Sequence, residues 1–598
     1  MPDNKEISEQ KDVRKPAATS TSQAAGADSG TTSSRGATNP DVQSRKVQYM
    51  FAARDQVELA VLASGPHPVY DANQVFRALD NMPDVDVIRR IKPSGFSALS
   101  AGPLASQDII VATTTPEQGV YLQSIAHPGM LVERDRLLKH LAFGPAALTG
   151  VFSGGTGVRF HIQDGAGRAL PNAEIFLYTE DGSQDQETTD ANGDATLSVQ
   201  GGFLNKVLAL YIKPFANCWE KFVSRPALDA KGVNLVTLKP LNEFQQAGFP
   251  GNPFFGWGQR LMGLNNVNSA LTGRGIKIAI IDSGCDNNHP ALKHIKIGRD
   301  YTSLDQDQNP DQRSWNADSM GHGTHCAGVI AGNGENNQIR GFCPEAEIHV
   351  LKLFPGGAFN NLVAALHYCI DNQIDVVNCS LGSDDRSEIV QQVMNRAREA
   401  GVAVIVAAGN SSGPVQFPAV VPGVLCVSAL GQQGQYPDDT YHAQTAESGS
   451  VLGMGLFPAK FSCHGPEVKV CAPGVAIISS VPGGGYASWD GTSMAAPAVT
   501  GAAGLVVAHH PDFAGKSLSR NAARVDRIFQ LVMGLAQPIG LNPLFGGVGL
   551  PILPKEFAQT AIQQQPVTVG LPVIPSLQAA IQLGLMAGFE SLRRQMQL

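Results

Sequence analysis

A chain of 598 residues is long enough for about four domains, which excludes a small disulfide-knotted scaffold. Apolar residues make up 43% and charged residues 16%, with 64 Gly and 38 Pro, a turn-rich globular composition that excludes a long coiled coil. Lys plus Arg number 44 against 52 acidic residues, a net charge of -8, and no basic cluster is present to track phosphates, so nucleic acid is excluded as a partner.

The first 45 residues hold no Leu and no aromatic side chain, and 19 of the 25 residues from Pro16 to Pro40 are Ser, Thr, Ala or Gly. Such a segment has too little apolar surface to form a core, and residues 1–45 are expected to be a disordered tail. They show charge of both signs with no apolar stretch behind, so no secretory signal is expected and the expected location is cytoplasmic, or secreted by a non-Sec route. No run of about 18 apolar residues occurs, so no membrane span is expected.

At Lys46 the texture changes. Val47, Tyr49 and Phe51 alternate as in a strand, and Asp71 is placed to cap a helix carrying Val75, Leu79 and Met82 on one face. Val85, Val87 and Ile91 predict a second strand and Ile109–Ala112 a third, giving a small α+β domain over 46–145. After the Gly-rich stretch at 151–157, short apolar alternations follow: Val158, Phe160 and Ile162; Ile175 and Leu177; Ala195, Leu197 and Val199. Turn signals at Asp164-Gly165, Asp181-Gly182 and Asn192-Gly193 separate them, so 150–240 is expected to be a β-sandwich. Its segment from Gly167 to Val199 resembles the prealbumin-like or carboxypeptidase-regulatory-like modules, which implies spacing or protein contact.

Beyond about residue 250 the pattern becomes alternating βα. Ile276–Ile281, Ile348–Leu353, Val376–Asn378 and Val402–Ala408 are near-continuous apolar strands, and Arg386–Ala400 reads as a helix between two of them. Apolar strands alternating with helices predict a parallel sheet covered on both faces, a catalytic-type domain over 250–550. Residues 551–598 form a C-terminal extension in which Ser576–Gln597 reads as an amphipathic helix. Nine cysteines without a CxxC pair are expected to be buried thiols rather than disulfides.

Functional groups of an open α/β sheet collect at the carboxyl edge of its strands, and three residues stand out there. Asp282 ends the strand IKIAII, His322 sits in Gly-His-Gly-Thr-His, and Ser493 sits in Gly-Thr-Ser-Met-Ala-Ala-Pro at the head of an apolar helix. Each alone fits a cap, a packed ring or a turn; the order Asp, His, Ser at three element boundaries fits a nucleophilic triad.

The segments IAIIDSGCDNNHPAL, GHGTHCAGVIAG, SLGS, VAAGN and GTSMAAPAVTGAAGL together resemble the subtilisin family of serine proteases, with a proteinase K-like flavour. The resemblance implies a subtilisin-like parallel sheet with helices on both faces, a serine endopeptidase acting on polypeptides, and a triad of Asp282, His322 and Ser493. It implies Asn410 as oxyanion donor, Ser380, Leu381 and Gly382 as the strand that pairs with substrate, and Ala407, Ala408 and Gly409 as lining of the P1 pocket. No acidic residue lies in those two segments, which points to an apolar or aromatic P1. Cys326 matches the cysteine of the proteinase K-like branch. No cofactor is expected for the chemistry. A structural calcium is a possibility at the loop carrying Asp305, Asp307 and Asp311, and a zinc site is not expected. The domain at 46–145 has the size of a subtilase propeptide, an inhibitor that is cut away, although a β module intervenes before the catalytic domain. Rival readings are a latent scaffold whose cleft stays blocked, and a protease dedicated to one partner.

Overall fold

The computed structural model describes residues 45–55, 72–93, 108–140, 155–180, 183–200, 204–243, 253–305, 309–447, 449–513, 519–555 and 557. Asp71, Asp307 and the helix expected at 576–597 lie outside them.

The first sheet has the order β2-β3-β1-β4 and is built from β1 (Val47–Ala53), β2 (Asp86–Ile91), β3 (Ile109–Thr114) and β4 (Met130–Arg134). Helix α1 (Ala72–Leu79) buries Ala72, Phe76 and Leu79 against one face, joining Tyr49, Phe51 and Ile110. The alternate residues Met50, Ala52, Ile109 and Val111 face the other way and pack with apolar residues of the large sheet domain. This sheet is therefore buried on both sides, which its run of VQYMFAA permits. Helix α2 (Pro116–Ile125) starts with Thr115, whose hydroxyl accepts from the Gln118 N–H, and with a proline where no helical donor is needed. After β4 comes a two-residue strand, β5 (Lys139–His140).

Seven strands follow: β6 (Gly155–Asp164), β7 (Glu174–Thr179), β8 (Gln184–Thr188), β9 (Asp194–Gln200), β10 (Val207–Lys213), β11 (Lys221–Ser224) and β12 (Val233–Leu238). They form two sheets, β11-β10-β7-β8 and β12-β6-β9. Val158, Phe160 and Ile162 of one sheet and Ile175, Leu177, Leu210 and Ile212 of the other share one apolar core.

The largest sheet has nine strands. β13 (Lys277–Asp282), β14 (Ile297–Leu304), β15 (Pro310–Asp311), β16 (Glu347–Lys352), β17 (Val376–Cys379), β19 (Ala403–Ala407), β20 (Leu425–Gln432) and β21 (Leu456–Pro458) lie in the order β15-β14-β16-β13-β17-β19-β20-β21, and β22 (Val468–Pro473) also pairs with β20. The central pairs β16-β13, β13-β17, β17-β19 and β19-β20 are parallel. The strand β18 (Leu381–Gly382) lies off this sheet. Alternation assigns the faces: Ile278 and Ile280 pack with helices α3 (His322–Ala331) and α6 (Thr492–His509), while Ala279 and Ile281 pack with α4 (Phe359–Asp371) and α5 (Glu388–Glu399). Helix α7 (Ala522–Gly534) joins the α6 side. A hairpin of β23 (Ile477–Val481) and β24 (Gly485–Trp489) leads directly into α6. The fold is the α/β arrangement expected from the sequence.

All nine cysteines are buried and described, and among the described residues none forms a disulfide. No described helix is long and apolar enough to cross a membrane.

Candidate active site

Asp282 is the last residue of β13, and His322 opens α3 behind Gly321, whose φ of 72° suits glycine and sets the turn that starts the helix. The two side chains meet at 2.7 Å, Asp282 Oδ1 to His322 Nδ1, and both are buried at about 1% exposure. Asp282 Oδ1 also accepts the Ser283 N–H at 2.7 Å. The helix start is pinned by Asp318, whose two oxygens take the Ser283 hydroxyl, the Gly321 N–H and both the N–H and hydroxyl of Thr324. The Gly323 N–H in turn donates to Ser283 Oγ at 2.9 Å. Asp318 was not singled out in the sequence; its only signal is its place four residues before His322.

Ser493 is the second residue of α6, where helix N–H groups favour developing negative charge. Pro497 supplies no N–H, so the Ser493 carbonyl lacks its i+4 helical donor. Ser380 Oγ donates to that carbonyl at 3.1 Å, and the Cys326 thiol does so at 3.5 Å. The Ser493 hydroxyl donates to the Ser380 carbonyl at 3.2 Å. Cys326 also connects the parts: its sulfur, an Asp282 oxygen and a His322 nitrogen lie within 4.8 Å of one another. Burial, and then the Asp282 charge, push the Cys326 thiol well up, so it stays protonated.

Asn410 is oriented by Thr492, whose N–H and hydroxyl both donate to Asn410 Oδ1, at 3.0 and 2.8 Å. The donor end of the carboxamide is then Nδ2. The Gly409 N–H donates to Thr492 Oγ1 at 3.2 Å, so the Ala407–Gly409 segment and the Ser493 turn are tied together. His325 stacks on Trp489 at 4.8 Å and bonds the Ile477 carbonyl at 2.9 Å. Burial, followed by repulsion from His322, lowers it to about 3, which keeps it a neutral pin between α3 and the hairpin.

Leu381 and Gly382, expected to pair with an extended peptide, pair antiparallel with His140 and Lys139. On the other side Leu138 N–H donates to the Gly357 carbonyl and Phe359 N–H to the Arg136 carbonyl. Leu138 is buried at 6% in one cluster with Phe359, Leu381 and Phe417. Residues 136–140 thus lie as a strand between 357–359 and 381–382.

Asp305 and Asp311 do not come together as ligands. Asp305 accepts the Asn309 N–H, and Asp311 accepts from Ser314 and the Arg313 N–H. Neither belongs to a group of metal-ligating side chains among the described residues, so these two lend no support to a calcium at that loop.

A family model described as the subtilase family matches residues 273–534. The chain is 34% identical over 248 residues to subtilisin from Bacillus pumilus, covering 40% of this chain and 79% of that protein. It is 32% identical over 282 residues to an intracellular serine protease of Paenibacillus polymyxa, covering 46% and 79%. The chain belongs to the subtilase family. Against subtilisin amylosacchariticus from Bacillus subtilis subsp. amylosacchariticus it is also 34% identical, but the matched part spans 57% of that subtilase and 40% of this chain. Fervidolysin of Fervidobacterium pennivorans, described as a keratinolytic enzyme related to subtilisin, superposes with a TM-score of 0.51 at 20% identity, over 88% of this chain and 62% of that one. That likeness supports the subtilisin-like fold.

Proposed function

We propose that this subtilase is a serine endopeptidase in which Ser493 is the nucleophile, His322 the general base and Asp282 the residue that orients His322. The observation that carries the reading is the buried 2.7 Å pair of Asp282 and His322, one helical turn from the thiol that touches the Ser493 carbonyl. The Ser493 oxygen attacks the scissile carbonyl as its proton passes to His322 Nε2. The C–N bond then breaks with that proton delivered to the leaving amine, and water releases the acyl group by the same route reversed. Asn410 Nδ2 and the Ser493 N–H take the charge on the tetrahedral oxygen. This chemistry requires no cofactor. A fluorophosphonate probe tests it on the matured protein: one adduct on Ser493, lost in His322→Ala, is expected, and no adduct on folded protein cleared of its N-terminal domain defeats the reading.

The N-terminal α+β domain is read as this enzyme's own inhibitor. Its strand at 136–140 pairs with 381–382, where an extended substrate would pair, and its carboxylates seat on helix N-termini. Glu133 accepts from the Ser387 hydroxyl at 2.5 Å and the Glu388 N–H at 2.7 Å; Asp135 accepts from Asn360 N at 3.1 Å and Nδ2 at 2.5 Å. Arg54 pairs with Glu388, and Arg396 with Asp55. Lys139 and His140 pair with Gly382 and Leu381, and the residue that precedes Leu381, Ser380, bonds Ser493. Self-cleavage within the first few residues after His140 follows, and would leave the β module on the enzyme. The same covered cleft is what a latent scaffold would show, and the probe separates the two.

A further inference from the structure

The β module reaches the hairpin that feeds the Ser493 turn at two places, Tyr486 and Trp489, and the buried His442 beside it at a third. Asn217 N–H donates to the Tyr486 carbonyl at 2.6 Å, and the Tyr486 N–H donates to Asn217 Oδ1 at 3.0 Å. The Lys213 ammonium lies 5.2 Å from the centre of the Trp489 ring. Glu220, just before β11 and buried, accepts the His442 backbone N–H at 3.0 Å through Oε1 and the Tyr211 hydroxyl at 2.5 Å through Oε2.

His442 is fully buried between two carboxylates. Its Nδ1 lies 2.7 Å from Asp490 Oδ1 and 3.5 Å from Glu220 Oε1, and its Nε2 lies 3.1 Å from Ser488 Oγ. Asp490 Oδ1 also accepts the Ala476 N–H at 2.6 Å. Two buried carboxylates with no cation between them would be costly, whereas an imidazolium gives each a charge-assisted partner. Burial opposes that charge, but Asp490, Glu220 and the hydrogen bond to Asp490 outweigh it and hold His442 at about 9. The other groups facing the ring are Tyr436 and Trp219, with ring centres at 5.8 and 5.9 Å; nearby Asp439 is occupied by Lys221 and Lys239. A metal does not fit this cluster as it stands. Two ligands of a tetrahedral zinc lie about 3.4 Å apart, and the His442–Asp490 separation is a hydrogen bond instead.

Asp490 is followed by Gly491, Thr492 and Ser493. The Gly491 N–H is fixed on the Gly474 carbonyl at 2.8 Å, and Thr492 orients Asn410. We propose that Glu220 is a positioning residue for the peptidase reaction: through His442 and Asp490 the β module sets the turn that carries Ser493 and the amide of Asn410. The role rests on the serine peptidase reading, and it makes the β module part of the working enzyme rather than a detachable appendage.

The test uses the full chain as it matures, in wild type, Glu220→Gln and Glu220→Asp. Active sites are counted with a fluorophosphonate, and kcat and KM on a peptide p-nitroanilide are measured from pH 6 to 10.5. Wild-type kcat per labelled site is expected to hold to about pH 9 and fall above it. Glu220→Gln should lower kcat per labelled site about 10-fold at pH 8 with KM within about two-fold, and move the alkaline limb down by about one pH unit or more. Glu220→Asp, which keeps the charge, should restore the limb. A purely structural role would change only the labelled fraction. Glu220→Gln with wild-type kcat per site and an unmoved limb overturns the proposal. Should Glu220→Gln not fold, a wild-type kcat that stays level through pH 10.5 overturns it on its own. A folded wild type that never labels overturns the peptidase reading itself, and this role with it.

Discussion

Ser380 and Ser493 bond each other twice: the Ser493 hydroxyl donates to the Ser380 carbonyl at 3.2 Å, and the Ser380 hydroxyl donates to the Ser493 carbonyl at 3.1 Å. Pro497 is the cause of the second bond, because a residue with an N–H there would claim the Ser493 carbonyl for the helix. The backbone of the proposed nucleophile is thereby tied to the end of the strand proposed to receive substrate. Asn378 Nδ2 holds Ser380 Oγ from behind at 3.0 Å.

Ser380→Ala removes one buried donor and leaves the Ser493 carbonyl to the weaker Cys326 thiol. A stability loss of about 1–2 kcal/mol is expected, with a several-fold lower kcat per labelled site. Thermal unfolding of the Ser493→Ala background, compared with Ser380→Ala on that background, measures the first; active-site titration measures the second. Equal stability would mean that the thiol alone suffices.

Glu133→Ala should loosen the N-terminal domain from α5. The carboxylate takes a hydroxyl and backbone N–H groups at a helix N-terminus, so about 1–3 kcal/mol of docking is at stake. Burial pushes the Glu133 carboxyl up, while Ser387, Ile389 and Arg54 draw it down. Faster fluorophosphonate labelling of the full-length variant is expected; an unchanged rate would show that residues 136–140 alone carry the inhibition.

Stability should fall at alkaline pH, through His442 and also through the buried thiols whose ionisation burial opposes, and the His442 part can be isolated by mutation. His442 is raised in the folded chain from 6.5 to about 9, so its contribution is complete below about pH 6.5 and is lost as pH climbs through about 9. The shift corresponds to about 3 kcal/mol. The Tm of Ser493→Ala, which cannot digest itself, should drop between pH 8 and 10, and the drop should shrink in Glu220→Gln. A level Tm over that range would mean His442 is neutral.

The candidate residues Asp282, His322, Ser493 and Asn410 and the segment 380–382 stood out in the sequence because each sits in a short motif whose small residues serve its own turn. Gly321 and Gly491 carry backbone conformations at the heads of α3 and α6, and such needs leave a local mark. The central strands were equally readable, since burial on both faces demands unbroken apolar runs. Helix α2 carried a usable signal, Thr115 followed by Pro116 and Glu117, that apolar periodicity did not reveal because few of its residues are buried. Strand β5 left no signal, because two residues paired through backbone groups impose no pattern. Glu220, His442 and Asp490 come from three segments more than 40 residues apart, and only the docking of the β module makes them neighbours.

The central claim is that Ser493 cuts peptide bonds, beginning with its own chain. Intact mass and N-terminal sequence of wild type, beside Ser493→Ala from the same expression, test it most directly. The account predicts that wild type acquires a new N-terminus within a few residues after His140, keeping the β module, while Ser493→Ala keeps its N-terminal domain. Both chains remaining whole, or both being cut at the same place, would contradict it.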